Sequence, residues 1–283
     1  MNVVIEDESK KNKRLKILYI GIISICVIAV IAAIVIQIVK QNNGSEVTKL
    51  PELTEDQKNQ HKDEFESIFG NKVNYLKNNG YKITKLESNK EIIYTGYQNN
   101  DSKINDYDMK VNIPYININN DIIEEFNTQI RDTFEKKAKS IINTQNSNVI
   151  YTVDYSAYIS NNIMSLVVRS TLKEGTSPQR DIVQTYNYDL INQREYTIDD
   201  MLNAKGITKK EANQKIREEI KTQQEKTEEL EKLGYTTYKR DYTSDIYNIN
   251  NVTEYFMGKD NALYIIYAYG NENNTNEMDV VIM

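Results

Sequence analysis

The chain has 283 residues, enough for one or two domains, with a net charge of −6 and 27% charged residues. Its three prolines, ten glycines and single cysteine exclude a collagen-like, a disordered and a disulfide-framework protein. The composition therefore predicts a folded protein with an apolar core that no disulfide supports.

A long apolar segment begins at Ile17 and ends at Val39. Its 23 residues carry no charge and, at about 1.5 Å each, span roughly 34 Å, which crosses a hydrocarbon core of about 30 Å. Lys40 alone follows closely, whereas five basic residues precede the segment: Lys10, Lys11, Lys13, Arg14 and Lys16. By the positive-inside rule these five determine the topology. The sequence predicts a single-pass protein of the cell membrane, anchored in the lipid bilayer, with a cytoplasmic tail (1–16) and an extracellular C-terminal domain.

Three other interpretations of this segment fit less well. A cleaved signal peptide has an apolar region of about 7 to 15 residues and an A-x-A-like exit, and this segment is longer and has no such exit. Ile25 stands before Cys26, where a lipoprotein needs a small residue. A buried helix of a soluble protein is rarely apolar on every face for this length.

The charge is divided unevenly along the chain. Residues 1–16 hold five basic and three acidic groups, a net charge of +2, and Lys40 adds one positive charge. Because the whole chain carries −6, the residues after Lys40 carry a net charge of −9. Such an acidic exported domain disfavours nucleic acid as a partner and favours basic partners, although acidity also serves solubility alone. Cys26 lies inside the span, which leaves the exported domain without disulfide or thiol chemistry.

Residues 40–52 are predicted to be a juxtamembrane linker, and a helix follows. Thr54 and Gln57 form a capping box at its start. Its apolar positions recur at helical spacing and are Phe65, Ile68, Phe69, Val73 and Leu76, and the Asn-Asn-Gly at 78–80 is expected to end it. Strands are predicted over 81–87, 90–98 and 107–119, with Pro114 marking an edge or strand end.

A second helix is predicted from residue 120, with an apolar stripe at Ile122, Phe126, Ile130, Phe134, Ala138 and Ile142. Three alternating segments then predict the centre of a sheet. Their buried faces are expected to be Val149, Tyr151, Val153, Tyr155 and Ala157; Met164, Leu166, Val168 and Leu172; and Ile182, Tyr186, Tyr188 and Leu190.

Thr208 and Glu211 form a capping box for a third helix, which is expected to end at Gly234. Its thin stripe, typical of a surface helix, is Ala212, Ile216, Ile220, Leu230 and Leu233. The closing strands place Leu263, Ile265, Tyr267 and Tyr269 on one face and Tyr264, Ile266 and Ala268 on the other. A strand apolar on both faces indicates the middle of a covered sheet, which we favour over an exposed tyrosine platform. The fold class is α+β, a largely antiparallel sheet packed with three helices.

The sequence offers little for catalysis. His61, the only histidine, stands in a polar run and is expected to be a solvated surface residue. Alone it makes neither a catalytic triad nor a zinc site. Paired carboxylates are all that a glycosidase needs, and the candidate acids are Glu124, Glu125, Asp154, Asp199, Asp200 and Asp279. Their structural explanations are first-turn helix charges for Glu124 and Glu125, an exposed strand face for Asp154 and a helix start for Asp199 and Asp200. We therefore expect no catalytic, cofactor-binding or metal-binding residue.

Two groups of residues resemble a known family. One covers an extended segment, a helix start and a strand, and is carried by Ile113, Pro114, Ile118, Asn127, Ile130, Tyr151, Tyr155, Asn162, Ile163, Ser165 and Leu166. The other resembles the family's Y-N-x-D-L element and is carried by Tyr186, Asn187, Asp189, Leu190, Ile198, Asp200 and Leu202. Residues 105–283 are thereby similar to the paired DUF4163 and DUF3298 domains of Firmicutes, found in lysozyme-sensing anti-sigma-V factors and beside some peptidoglycan deacetylases.

The resemblance implies a DUF4163-like region over 53–178 and a DUF3298-like region over 179–283. It also implies an extracellular, non-catalytic binding or sensing module of a Gram-positive cell surface, with a basic protein such as lysozyme or a cell-wall component as partner. Two alternatives stay open: an anti-sigma-like regulator of an extracytoplasmic sigma factor, and a cell-wall glycan enzyme that uses two carboxylates. The chain departs from the family in its short tail of 16 residues and in lacking the deacetylases' catalytic domain.

Overall fold

The computed structural model describes residues 50–76, 83–160, 162–268 and 277–283. The predicted tail, the membrane span and the five basic residues before it lie outside these ranges, as do most of the linker and the Asn-Asn-Gly at 78–80. In the part of the chain that is described, no helix is long and apolar enough to cross a membrane.

The larger sheet, sheet A, has eight strands in the order β2-β4-β5-β6-β7-β8, with β3 paired to β4 and β1 paired to β5. It is largely antiparallel, as predicted, and only the pairs β4–β5 and β1–β5 are parallel. The strands are β1 (Lys72–Tyr75), β2 (Ile93–Asn99), β3 (Ser102–Lys103), β4 (Tyr107–Ile116), β5 (Val149–Ser160), β6 (Ile163–Glu174), β7 (Arg180–Asp189) and β8 (Arg194–Glu195). Because β6 and β7 pair along their length, the two predicted regions, which meet at residue 178, share this sheet.

One face of sheet A is covered by a helix in two parts, α2 (Asp121–Ile130) and α3 (Lys136–Asn143), joined by a π-helical turn (Arg131–Glu135). The predicted faces of β5, β6 and β7 are buried beneath it, except that Ile182 is 45% exposed. The predicted helix stripe is wrong at its ends, since Ile123 and Ile141 are buried, whereas Ile122 is half-buried and Ile142 is exposed. A spacing of four overshoots a turn of 3.6 residues by about 40° a step, so the ends of that stripe leave the buried face.

The other face of sheet A packs against a three-stranded antiparallel sheet, sheet B, in the order β11-β10-β9. Its strands are β9 (Glu254–Met257), β10 (Leu263–Ala268) and β11 (Met278–Ile282). Tyr264 and Ile266 face sheet A, and Leu263, Ile265 and Tyr267 face the opposite way. The predicted two-faced strand is therefore confirmed, and Tyr264 and Tyr267 are core residues; Tyr269 lies outside the described residues.

The outer face of sheet B is covered by α4 (Ile198–Lys205) and α5 (Lys209–Lys232). The capping box of Thr208 and Glu211 is confirmed, and Ala212, Ile216 and Ile220 are buried as predicted. Leu230 and Leu233 were predicted in the same stripe and are exposed, because the last turns of α5 extend past sheet B. The sequence predicted a helix start at Asp199 and Asp200, and α4 begins there with a capping box of Thr197 and Asp200.

Two predicted elements differ at the N-terminal side. The first helix, α1 (Glu55–Asp63), keeps its Thr54–Gln57 capping box but ends well before Leu76. Asn71 adopts a left-handed φ of 54° and turns the chain into β1, where Val73 pairs with Ala157 of β5. Residues 83–87, which lie within the predicted strand 81–87, form a loop instead. The Asn117 side chain holds this loop, because it accepts from the backbone N of Glu87 and donates to the backbone O of Glu87.

An acidic candidate site at the edge of β7

A cavity of about 240 Å³ opens where the outer edge of β7 meets α2, β8 and the start of β9. It is lined by Ile122, Glu125, Phe126, Gln129, Thr185, Tyr186, Asn187, Glu195, Thr253 and Tyr255. The cavity exists because β8 pairs with β7 only at Tyr188 and Asp189, which leaves the preceding part of the β7 edge uncovered. Phe126 packs on Tyr186 with 5.1 Å between ring centroids and closes the inner wall.

Glu254 stands between the lining residues Thr253 and Tyr255 in the chain, and its carboxylate bonds to a third lining residue, Thr185. Its Oε2 accepts hydrogen bonds from the backbone N of Thr185 at 2.6 Å and from Thr185 Oγ1 at 3.0 Å. Burial raises the pKa of Glu254 to about 7, although both hydrogen bonds favour the ionised form. This carboxyl group is therefore poised to gain or lose a proton near neutral pH.

A hydrogen-bonded network fixes the backbone around Glu254. Tyr255 donates from its backbone N to Thr185 Oγ1 at 3.0 Å and accepts at its O from Asn187 Nδ2 at 2.7 Å. Ser165 Oγ donates to Asn187 Oδ1 at 2.7 Å. The same Ser165 Oγ accepts from the backbone N of Met257 at 3.1 Å. The network joins β6, β7 and β9, so the cavity wall is rigid.

The cavity is negatively charged. Glu125 and Glu195 line it, and Glu254 is bonded to the lining residue Thr185. None of the three forms an ion pair with another described residue. Burial raises the pKa of Tyr255 to about 12, and the charge of Glu195 contributes to that shift. An ammonium or guanidinium group would find uncompensated carboxylates here.

The three carboxylates do not form a metal site. Among the described residues, no three His, Cys, Asp or Glu side chains are placed to hold one ion. A second cavity of about 250 Å³, between α1 and α5, contains both charge signs. There Lys62 pairs with Glu219 and Lys58 with Glu55, so its charges are already compensated.

The acids predicted from sequence are scattered over the fold. Glu125 reaches the cavity from the exposed side of α2, and Glu124 is exposed outside it. Asp199 and Asp200 begin α4 as predicted, and the Arg194 guanidinium holds the pKa of Asp200 at about 2. Sequence reasoning missed Glu195 and Glu254, because an acid at a strand end carries no pattern that distinguishes it from other surface acids.

Two further acids have structural roles. Asp154 was predicted on an exposed strand face and is instead half-buried, accepting from Asn71 at 2.6 Å and from Asn112 at 3.2 Å. Asp279 is buried against Arg240 at 2.6 Å and Tyr247 at 3.0 Å. Neither carboxylate lines the β7-edge cavity.

The prediction that His61 is a solvated surface residue is wrong. His61 is only 8% exposed, and its Nδ1 lies 3.1 Å from the hydroxyl of Tyr264. The polar run around it concealed this, because one face of α1 packs against sheet B and only His61 of that helix is buried. Burial lowers the pKa of His61 and favours the neutral ring.

The motif residues of the resemblance hold the fold around the cavity. The buried Asn127 accepts from the backbone N of Ile116 at 2.8 Å and donates to its O at 2.9 Å, which ties α2 to β4. Asp189 accepts from the backbone N of Ile191 and of Asn192, both at 2.9 Å, and stabilises the turn between β7 and β8. These polar positions are explained by backbone hydrogen bonds.

No family model and no curated protein matches this chain. Two similar solved structures are DUF3298 family proteins. One, from Bacteroides fragilis, is 12% identical and has a TM-score of 0.35, with 62% of this chain and 81% of that chain covered. The other, from Pseudomonas aeruginosa, is 8% identical and has a TM-score of 0.40, with 72% and 90% covered.

Proposed function

We propose that this protein is a membrane-anchored, non-catalytic binding or sensing module, exposed outside a Gram-positive cell, that recognises a positively charged group on a basic protein. The charge-free segment from Ile17 to Val39 supports the anchor, and the five preceding basic residues support the orientation. The motifs that resemble the extracellular part of anti-sigma-V factors support the sensing role.

The observation that carries the proposal is the β7-edge cavity. It presents Glu125 and Glu195 without a described cationic partner, and its lining residue Thr185 is bonded to a third carboxyl group, that of Glu254, on a backbone that hydrogen bonds already fix. A rigid, negatively charged recess requires little reorganisation when a Lys or Arg side chain enters. The net charge of the exported part adds steering of a basic partner toward the surface.

The test uses full-length protein in lipid nanodiscs and lysozyme as the basic probe. Binding is measured for the wild type and for a triple variant with Glu125→Gln, Glu195→Gln and Glu254→Gln. The charge-matched control replaces three exposed acids of α5 by Gln: Glu225, Glu228 and Glu229. We expect the cavity variant to lose affinity by about tenfold or more and the control variant to change little.

Two further probes make the test decisive. Succinylated lysozyme, in which lysine charges are reversed, should not bind, and purified peptidoglycan tests a cell-wall component as the ligand. If neither lysozyme nor peptidoglycan binds the wild type, this proposal is wrong. Equal loss of lysozyme affinity in the cavity and control variants would assign recognition to overall charge and remove the cavity from it.

A second function is favoured by the pKa of Glu254. A carboxyl group whose pKa burial raises to about 7, bonded to a residue that lines a cavity with two other acids, has the acidity that a general acid of glycoside hydrolysis needs. Incubation of the protein with muropeptides tests this alternative, and new products that disappear with Glu254→Gln would support it. An anti-sigma role is the third possibility, and a sigma factor that co-purifies with the full-length protein would support that one.

A further inference from the structure

We propose that the uncovered edge of β7 pairs with an extended peptide segment, which adds to sheet A as a strand and places a Lys or Arg side chain in the β7-edge cavity. The inference rests on the proposed function, because it assigns the form in which the basic ligand is recognised.

The backbone groups of β7 that face outward can be identified from their bonds. The backbone N–H of Thr185 donates to Glu254, and the backbone O of Asn187 accepts from the backbone N of Tyr196 at 2.9 Å. The backbone N–H and C=O groups of the odd-numbered residues of β7 therefore point away from β6. N–H and C=O groups alternate sides along an antiparallel strand. The N–H and C=O of Asp181 and Val183 therefore point outward too.

These outward groups have no hydrogen-bond partner within the described ranges. β8 pairs only with Tyr188 and Asp189, and no backbone bond from another segment reaches Asp181 or Val183. An uncovered edge of this kind is a template for strand addition, in which main-chain hydrogen bonds give affinity. The uncovered stretch ends at the cavity, where β8 begins.

The side chains along this edge indicate the chemistry of the occupant. Ile182 lies on the face of sheet A that α2 and α3 cover but is itself 45% exposed, so it offers an apolar contact. Three residues further, Thr185 is bonded to Glu254, and the cavity that Thr185 lines presents the carboxylates of Glu125 and Glu195. The complementary ligand is an extended segment with an apolar residue beside Ile182 and a basic residue at the cavity end.

Peptide probes test the pairing directly on the full-length protein. The reference probe is a capped peptide of about six residues, the usual length of a strand, in which Thr and Val alternate before a terminal Arg. Two isomers are N-methylated on alternate amides, one set in each phase, and a fourth probe carries Glu in place of Arg. Only one phase of amides can face β7 in a strand pair.

We expect the reference probe to bind, one N-methylated isomer to lose affinity by about tenfold or more, and the other isomer to retain it. The Glu probe should not bind. On the protein side, Val183→Pro removes an outward N–H that makes no bond within sheet A, and proline is tolerated on edge strands. Val183 is buried between the two sheets, so this variant should melt below the wild type, as should Val183→Ala, which keeps the N–H. Only Val183→Pro should bind the reference probe more weakly.

The isomer comparison uses the wild-type protein, so it remains decisive if Val183→Pro fails to fold. An equal response of the two N-methylated isomers, in either direction, overturns the inference. If lysozyme binding depends on the cavity acids but a folded Val183→Pro variant binds lysozyme and peptide normally, strand addition is wrong and the proposed function stands. If neither peptide nor basic protein binds, both are wrong.

Discussion

The guanidinium of Arg240 donates through Nε to the carboxylate of Asp279, with 2.6 Å between the two atoms, and both side chains are largely buried. Arg240 also donates through Nη1 to Thr227 Oγ1 at 3.1 Å, and Tyr247 donates its hydroxyl to Asp279 at 3.0 Å. The pair thus connects α5 and the segment after it to β11, the last strand of sheet B.

Replacing Arg240 by Met should destabilise the protein by about 3 to 5 kcal/mol, because it leaves the carboxylate of Asp279 buried without its cation. Chemical denaturation of the two proteins measures the difference. Lys239→Met is the control, since Lys239 pairs with Glu231 at 3.4 Å on the exposed surface and should cost at most about 1 kcal/mol. Equal losses for the two variants would contradict a structural role for the buried pair.

Deleting residues 278–283 should unfold sheet B. The deletion removes β11, its whole ladder with β10 and the buried side chains Val280, Val281, Ile282 and Met283. Met278→Ala, at the half-buried start of β11, is the matched mild change. Circular dichroism and thermal melting report the result, and a truncated protein with an unchanged melting transition would show that β11 is dispensable.

Glu254→Gln should become more stable relative to the wild type as the pH rises. The pKa of Glu254 is raised from 4.5 to about 7 in the folded state. The protonated carboxyl group therefore stabilises the folded wild type fully below pH 4.5, and this stabilisation is lost as the pH rises toward 7. Gln keeps an acceptor for Thr185 without the charge. The difference in unfolding free energy should grow by about 3 kcal/mol between pH 4.5 and pH 8. Glu125→Gln is the control for the loss of an exposed carboxylate. The prediction is wrong if the difference in unfolding free energy between Glu254→Gln and the wild type stays constant with pH.

The carboxyl group of Glu254 should also make ligand binding depend on pH. A cation in the cavity favours the ionised form of Glu254, so binding a basic probe should release protons near neutral pH. Affinity for lysozyme should therefore increase from pH 6 to pH 8 in the wild type, and this increase should shrink in Glu254→Gln. Titration calorimetry in two buffers of different ionisation enthalpy measures the proton release. No release at pH 7 would separate Glu254 from recognition.

Lys205→Met should stabilise the protein at pH 7. Lys205 is buried in α4 and donates from Nζ to the backbone O of Asn261 at 2.8 Å, and burial lowers its pKa from 10.5 to about 8. Its charge costs free energy in the folded state, by about 3 kcal/mol at most, and that cost falls as the pH rises from 8 to 10.5. The advantage of Met, measured by denaturation, should narrow over the same range. Lys209→Met, in the exposed first turn of α5, is the control, and a less stable Lys205→Met protein would contradict this account.

Much of the fold could be predicted from local patterns. The capping boxes at Thr54 and Thr208 form as the sequence indicates, because they join residues only three positions apart. The alternation in β5 and β6 identifies the buried faces, since a strand that is covered on one side needs apolar residues at every second position. The two-faced pattern of β10 likewise predicts a strand between two cores.

The errors fall where distant segments compete with a local pattern. Val73 has helical spacing from Phe69, yet the pairing of β1 with β5 places it in a strand. His61 stands in a polar run, yet its partner Tyr264 is 203 positions away. Hydrogen bonds over such separations have no counterpart in the local pattern of the sequence, and tertiary packing overrides local preference.

By itself, the sequence determined the α+β class, most of the strands and the helix starts at Thr54, Asn120 and Thr208, and it predicted a membrane anchor. Each of these depends on the polarity and spacing of neighbouring residues. Only the tertiary structure brought Glu125 and Glu195 to one cavity, bonded Glu254 to its lining residue Thr185 and raised the pKa of Glu254. The hydrogen bond between Glu254 and Thr185 spans 69 positions, and burial of that carboxyl group arises from the packing of β9 against β7.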